Sequence, residues 1–126
     1  VQLVLSAAGY EATEARTAAE SLLKQVGLEG LETRYPDELS RGQCQRVGIA
    51  RALSGKRSVL LADEPSAALD EQNSRSVFAL FQKLASEGTT IITASHDPIV
   101  LEYCTRSFTL IDGLLHNDQE AEKSLG

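Results

Sequence analysis

The chain has 126 residues, 42% of them hydrophobic and 24% charged, which fits one globular unit and excludes a disordered tail or a collagen-like repeat. Its net charge of -6 argues against a nucleic-acid-binding surface, which needs a basic patch. No apolar run approaches the roughly 18 to 20 residues that span a bilayer.

In chain order, VQLVL reads as the inside of a folded element, so a natural N-terminus upstream of Val1 is expected. Ala15, Ala18, Ala19, Leu22, Leu23 and Val26 recur at three- and four-residue spacing. That spacing predicts a helix over 13–26, capped by Thr13 and ended by Gly27. Residues 28–39 are irregular, punctuated by Gly30 and Pro36. Ser40 stands three residues before Gln43, the capping-box spacing, and opens a second helix that runs to Leu53, with Leu39 placed to staple onto Cys44.

After the breaker cluster 54–58, the short apolar run Val59-Leu60-Leu61-Ala62 predicts a strand buried on both faces of a parallel sheet. The helical period returns over 70–87 through Val77, Leu80, Phe81 and Leu84. A β-branched strand over 89–94, a short helix over 98–104 and a third strand over 107–111 follow, and the remainder after Gly113 reads as a polar tail without period. Alternating strands and helices imply an α/β fold with a parallel sheet and right-handed crossovers. Three parallel strands alone leave apolar surface and edges open, so the chain is expected to be part of a larger domain. The organisation is a helical segment over 1–53, an α/β core segment over 54–113, and a tail over 114–126. Cys44 and Cys104 have neither metal-ligand nor CxxC spacing and read as reduced thiols of a cytosolic protein.

Three places carry chemistry. Leu39-Ser40-Arg41-Gly42-Gln43 starts a Ser-capped helix whose first-turn N–H groups and dipole suit a phosphate. Gly42 allows close approach, and the Ser40 hydroxyl and Gln43 amide add donors. The same five residues also fit an ordinary capped helix. Asp63-Glu64 lies at the carboxyl end of a strand, the edge where open α/β sheets place ligands. One carboxylate there suits a Mg²⁺ ion held through water, and its neighbour an attacking water, the positioning that phosphoryl transfer asks of a protein. A solvated acidic turn is the plainer reading. His96 follows the next strand, so adjacent parallel strands would aim Glu64 and His96 at one crevice, although a loop histidine can equally be incidental.

Taken together these segments resemble the ATP-binding subunits of ABC transporters. LSRGQCQRVGIARAL resembles the signature motif and its helix, SVLLADEP the Walker B strand, SAALD the D-loop, and TASHD the switch-histidine loop. The resemblance covers 35–113, and 1–31 resembles the helical-subdomain segment that precedes the signature. It implies a partial P-loop-NTPase-like parallel sheet with a helical-subdomain segment at its N-terminus. The YPDELS lead-in and ADEPSAALD look most like the lipoprotein-releasing, macrolide and haem-export types.

The resemblance further implies an ATPase that dimerises around ATP and Mg²⁺ to drive transport. Ser40, Gly42 and Gln43 would contact the γ-phosphate of ATP on the opposite subunit, and Asp63 the Mg²⁺ shell. Glu64 would be the general base or water-polarising residue, Asp70 would shape the D-loop at the dimer interface, and His96 would sense the γ-phosphate. The implied partners are a second ATPase subunit, identical or related, and transmembrane permease subunits, with no nucleic acid. The implied location is cytoplasmic, on the inner face of the cell membrane through the permease. Import against export and the transported substrate are not legible.

Two departures stand out. Arg41 replaces the first glycine of the usual LSGGQ. The GxxxxGK[ST] loop that cradles phosphates is missing, and the pair Gly55-Lys56 is a decoy because it precedes a strand instead of following one. By itself the chain is therefore expected to be inactive. Two other classes remain in view: a non-transport ATPase of the same family acting on DNA or ribosomes, and a non-hydrolysing module that supplies the signature in trans.

Overall fold

The computed structural model describes residues 1–55 and 57–118, and of Leu3 and Val4 only the backbone. A short helix α1 (Gln2–Ala7) leads into α2 (Ala12–Gln25). The cap of α2 lies two residues ahead of Thr13, the cap expected from the sequence. Glu11 takes the cap, its backbone N–H donating to the Glu14 carboxylate at 3.4 Å, and Thr13 falls inside, where its carbonyl accepts from the Thr17 hydroxyl. Gly27 ends the helix at φ 79°, a region that favours glycine.

A 3₁₀ turn (Pro36–Glu38) precedes α3 (Arg41–Leu53), which Ser40 caps as expected. Strand β1 (Val59–Asp63), helix α4 (Glu71–Ser86) and strand β2 (Thr90–Ala94) form one βαβ unit, and β1 pairs with β2 in parallel, Leu61 opposite Ile92. The 3₁₀ turn Pro98–Glu102 then leads to β3 (Ser107–Ile111) and β4 (Leu114–Asp118).

The core gathers where α3 and α4 meet β1. Leu60 is buried from the strand, Ile49, Ala50 and Leu53 from α3, and Val77, Phe78, Phe81 and Leu84 from α4. Phe78 meets Phe81 edge-on at 6.3 Å between centroids and Tyr103 at 6.2 Å. Leu5, Ala15 and Ala19 form a smaller cluster between α1 and α2.

Three sequence expectations are corrected. Strand β1 is covered on one face only: Leu60 is buried, whereas Leu61 is 73% exposed beside Ile92 at 59%. The strand over 107–111 does not extend the parallel sheet but pairs antiparallel with β4. The segment read as a tail opens with that strand, and 119–126, the rest of it, lie outside the described residues, as does Lys56 of the decoy pair. The physical cause is the Asp112-Gly113 turn. Both residues have positive φ, 49° and 77°, and Ile111 pairs with Leu114, the geometry of a two-residue hairpin whose twist matches its strands.

Candidate functional site

Parallel pairing puts the carboxyl ends of β1 and β2 side by side, Asp63 opposite Ala94. The Glu64 N–H donates to the Ala94 carbonyl at 2.8 Å, carrying the ladder one residue past the strand. The backbone then turns through the left-handed region at Glu64, φ 48°. A non-glycine residue held there costs about 1–3 kcal/mol and persists only where its surroundings impose it. The turn sends the Glu64 side chain across to the next strand. Its Oε1 meets Nδ1 of His96, and its Oε2 accepts from the His96 backbone N–H at 3.3 Å. A carboxylate only accepts, so Nδ1 carries the hydrogen and Nε2 is left for another partner. The His96 side chain is 98% exposed and that of Glu64 34%, so the pair opens to solvent. Asp97 fixes the following turn by accepting from Ile99 N–H at 3.0 Å.

Asp63 stands exposed at the end of β1, on the rim of an open pocket bordered by Gln45 and Gly48 of α3 and by Pro65. Among the described residues no three His, Cys, Asp or Glu side chains converge as a metal cage. A Mg²⁺ ion keeps several waters and takes one or two carboxylates plus substrate phosphates, so a single exposed Asp63 fits it.

The start of α3 forms a second group. Ser40 Oγ accepts from Gln43 N–H at 3.1 Å, and Gln43 Oε1 accepts from Ser40 N–H at 2.9 Å. This capping box consumes one first-turn amide but leaves the Ser40 hydroxyl hydrogen and the Gln43 NH₂ as donors, together with the Arg41 and Gly42 amides. Replacing Ser40 with alanine is expected to destabilise a complete cassette carrying this chain by about 1 kcal/mol in urea unfolding. Arg41 is exposed, whereas Gly42 is buried. The close approach at Gly42 is from within the chain: a Cβ there would come within 2.6 Å of the Asn73 Oδ1.

Asp70 caps α4, its Oδ1 accepting from Asn73 N–H at 2.8 Å and from Asn73 Nδ2 at 2.9 Å. The loop before it carries a second left-handed residue, Ala68 at φ 65°. Of the residues singled out from the sequence, the fold joins Glu64 to His96 directly, and Gly42 to Asp70 through Asn73. No described hydrogen bond links Ser40 or Gln43 to Glu64 or His96.

Sequence reasoning missed the supports of these groups. Arg46 donates to the Val26 carbonyl at 2.7 Å and to the Ser76 hydroxyl, tying the end of α2 and helix α4 to α3. Gly27 lies against its guanidinium, where a Cβ would come within 2.8 Å. Arg75 bonds Glu102 at 2.6 and 3.2 Å and Glu71 at 3.0 Å, joining α4 to the turn after His96. Only the i,i+4 pair Glu71–Arg75 was visible as spacing.

The hydrogen bonds from Arg75 hold the Glu102 carboxyl below its ordinary value. A depressed carboxylate contributes stability above its unfolded value and loses it as pH falls through the folded one. The difference in Tm between the unmodified protein and Glu102→Gln should therefore be small at neutral pH, as for exposed pairs, and vanish in acid below the carboxylate range.

Residues 2–67, just over half of the chain, match the sequence family described as ABC transporter. The chain belongs to the ABC transporter family. Relatives within this ABC family include the macrolide export ATP-binding/permease protein MacB of Mannheimia succiniciproducens, 42% identical over 113 residues. That match takes in 90% of this chain and 18% of the relative. The methionine import ATP-binding protein MetN 2 of Shouchella clausii is 44% identical over 115 residues, 90% of this chain and 34% of its own length. Among solved structures, the ABC cassette MJ0796, dimeric and bound to ADP and Pi, superposes with a TM-score of 0.70 at 35% identity. That superposition covers 89% of this chain and 48% of the cassette. The chain thus spans less than half the length of each of these proteins.

Proposed function

We propose that this chain is the signature-bearing, hydrolytic half of an ATP-binding cassette that dimerises around ATP to drive transport across a membrane. The observation that carries the reading is the Glu64–His96 pair, built by a left-handed turn at the carboxyl edge of parallel strands. Such strain is characteristic of functional sites. The MJ0796 cassette, dimeric with ADP and Pi, supports a nucleotide chemistry and a second subunit. The open face around Leu61 and Ile92 is where the remainder of the cassette would pack.

In this reading Glu64 takes a proton from a water whose oxygen bonds to the terminal phosphorus as the bond from that phosphorus to the ADP oxygen breaks, and the proton then passes to the released phosphate. His96 holds Glu64 through Nδ1 and offers its exposed ring to the γ-phosphate. Asp63 would hold Mg²⁺ through water, and the ion when bound neutralises phosphate charge. Ser40 and Gln43 through their side chains, and Gly42 through its backbone N–H, contact the γ-phosphate of ATP gripped by the opposite subunit, and Asp70 keeps the D-loop at that interface. The phosphate cradle is supplied by residues outside this chain. Permease subunits would hold the dimer at the inner face of the membrane. No described helix is long and apolar enough to cross it.

The isolated 126 residues should show no ATP turnover, and a complete cassette carrying them should hydrolyse ATP in phosphate-release assays. A complete cassette that forms ATP-dependent dimers without hydrolysis would point instead to a module lending its signature to a partner.

A further inference from the structure

Gly42 and Asn73 belong to different helices, yet the Asn73 side chain fills the space a Cβ at Gly42 would take. A Cβ at Gly42 would lie 2.6 Å from Oδ1 and 3.1 Å from Cγ, but an ordinary 3.6 Å from the Asn73 Cβ. The Asn73 amide is itself held, because Nδ2 donates to the Asp70 carboxylate that caps α4. Asp70, Asn73 and Gly42 thus form a continuous chain of contacts from the loop that follows Glu64-Pro65 to the first turn of α3.

We propose that Asn73 is a positioning residue, setting where the phosphate-facing turn of α3 stands relative to the loop carrying Asp70. The inference rests on the proposed ATPase reading. Both ends of the chain lie at helix starts, where a sub-ångström displacement moves the donors of Ser40 and Gln43 relative to a phosphate. Rigid elements place such donors more narrowly than loops do. Arg41, the departure from the usual glycine, is exposed, whereas Gly42 is buried against Asn73.

A double-mutant cycle in a complete cassette tests this, read by Tm and by ATPase kinetics. Gly→Ala inside a helix ordinarily stabilises. Here Gly42→Ala should instead lower Tm, and lower kcat at least tenfold. Adding Asn73→Ala removes Oδ1 and Cγ and leaves the 3.6 Å contact, so the double variant should recover Tm and regain kcat to within about threefold of the Asn73→Ala variant. Asn73→Ala alone should lower kcat severalfold with KM for ATP unchanged, which separates positioning from ATP binding.

Failure of Asn73→Ala to restore Tm would overturn the contact. Recovery of Tm without recovery of kcat would overturn the positioning role and show that the added methyl group obstructs the phosphate directly. A parent cassette without Glu64-dependent turnover would remove the ATPase reading, and with it the positioning role, while the Tm arm still reads the contact.

Discussion

Replacing Glu64 with glutamine in a complete cassette is expected to lower kcat for ATP by about 10²–10⁴-fold, the span that a positioned general base contributes. The amide keeps the size and the hydrogen bond from the His96 backbone but no longer takes a proton from water. ATP binding does not use that proton, so ATP should still drive dimer formation, and the dimer should persist because turnover no longer dissolves it. Size-exclusion chromatography with ATP and phosphate release measured on the same sample separate the two effects. Unchanged turnover would remove Glu64 from the chemistry.

The second large effect is on stability. Phe78 is 1% exposed at the centre of the core, between Phe81 and Tyr103. Phe78→Ala should cost about 3–5 kcal/mol, the transfer free energy of the ring plus the cavity it leaves. The cost should reach the site as well, because Tyr103 ends the turn that follows His96 and Asp97. Urea unfolding of a complete cassette measures it. A loss of only about 1 kcal/mol would show that Phe81 and Tyr103 close over the gap.

Most of this architecture was legible because single periods dominate it. The α4 stripe of Val77, Leu80, Phe81 and Leu84 and the Ser40–Gln43 capping box both read correctly, since each is a local pattern with one physical solution. The direction of the third strand was not. A five-residue apolar run says nothing about its partner, and the hairpin is specified only by the two positive φ angles of the Asp112-Gly113 turn. The face of β1 expected to be covered is open, since covering depends on what packs there and not on the strand's own residues.

At the site, the alignment of Glu64 with His96 followed from parallel strands alone. The left-handed turn that lets them touch did not, because glutamate has no preference for positive φ. Gly42 shows the opposite case. From the sequence a ligand is expected against Gly42, whereas the neighbour filling that space is Asn73, thirty-one positions away, which no spacing rule reaches.

In the proposed dimer the signature turn of one subunit completes the hydrolytic site of the other. Mixing two inactive complete cassettes, one with Ser40→Arg and one with Glu64→Gln, tests it directly. If the groups act across the dimer, each mixed dimer holds one intact site, and equal mixing should restore up to roughly a quarter of the unmodified ATPase rate, for random pairing of two-fold dimers. If Ser40 and Glu64 serve the same subunit's nucleotide, both sites of every mixed dimer carry a defect and the rate stays at the level of the separate variants.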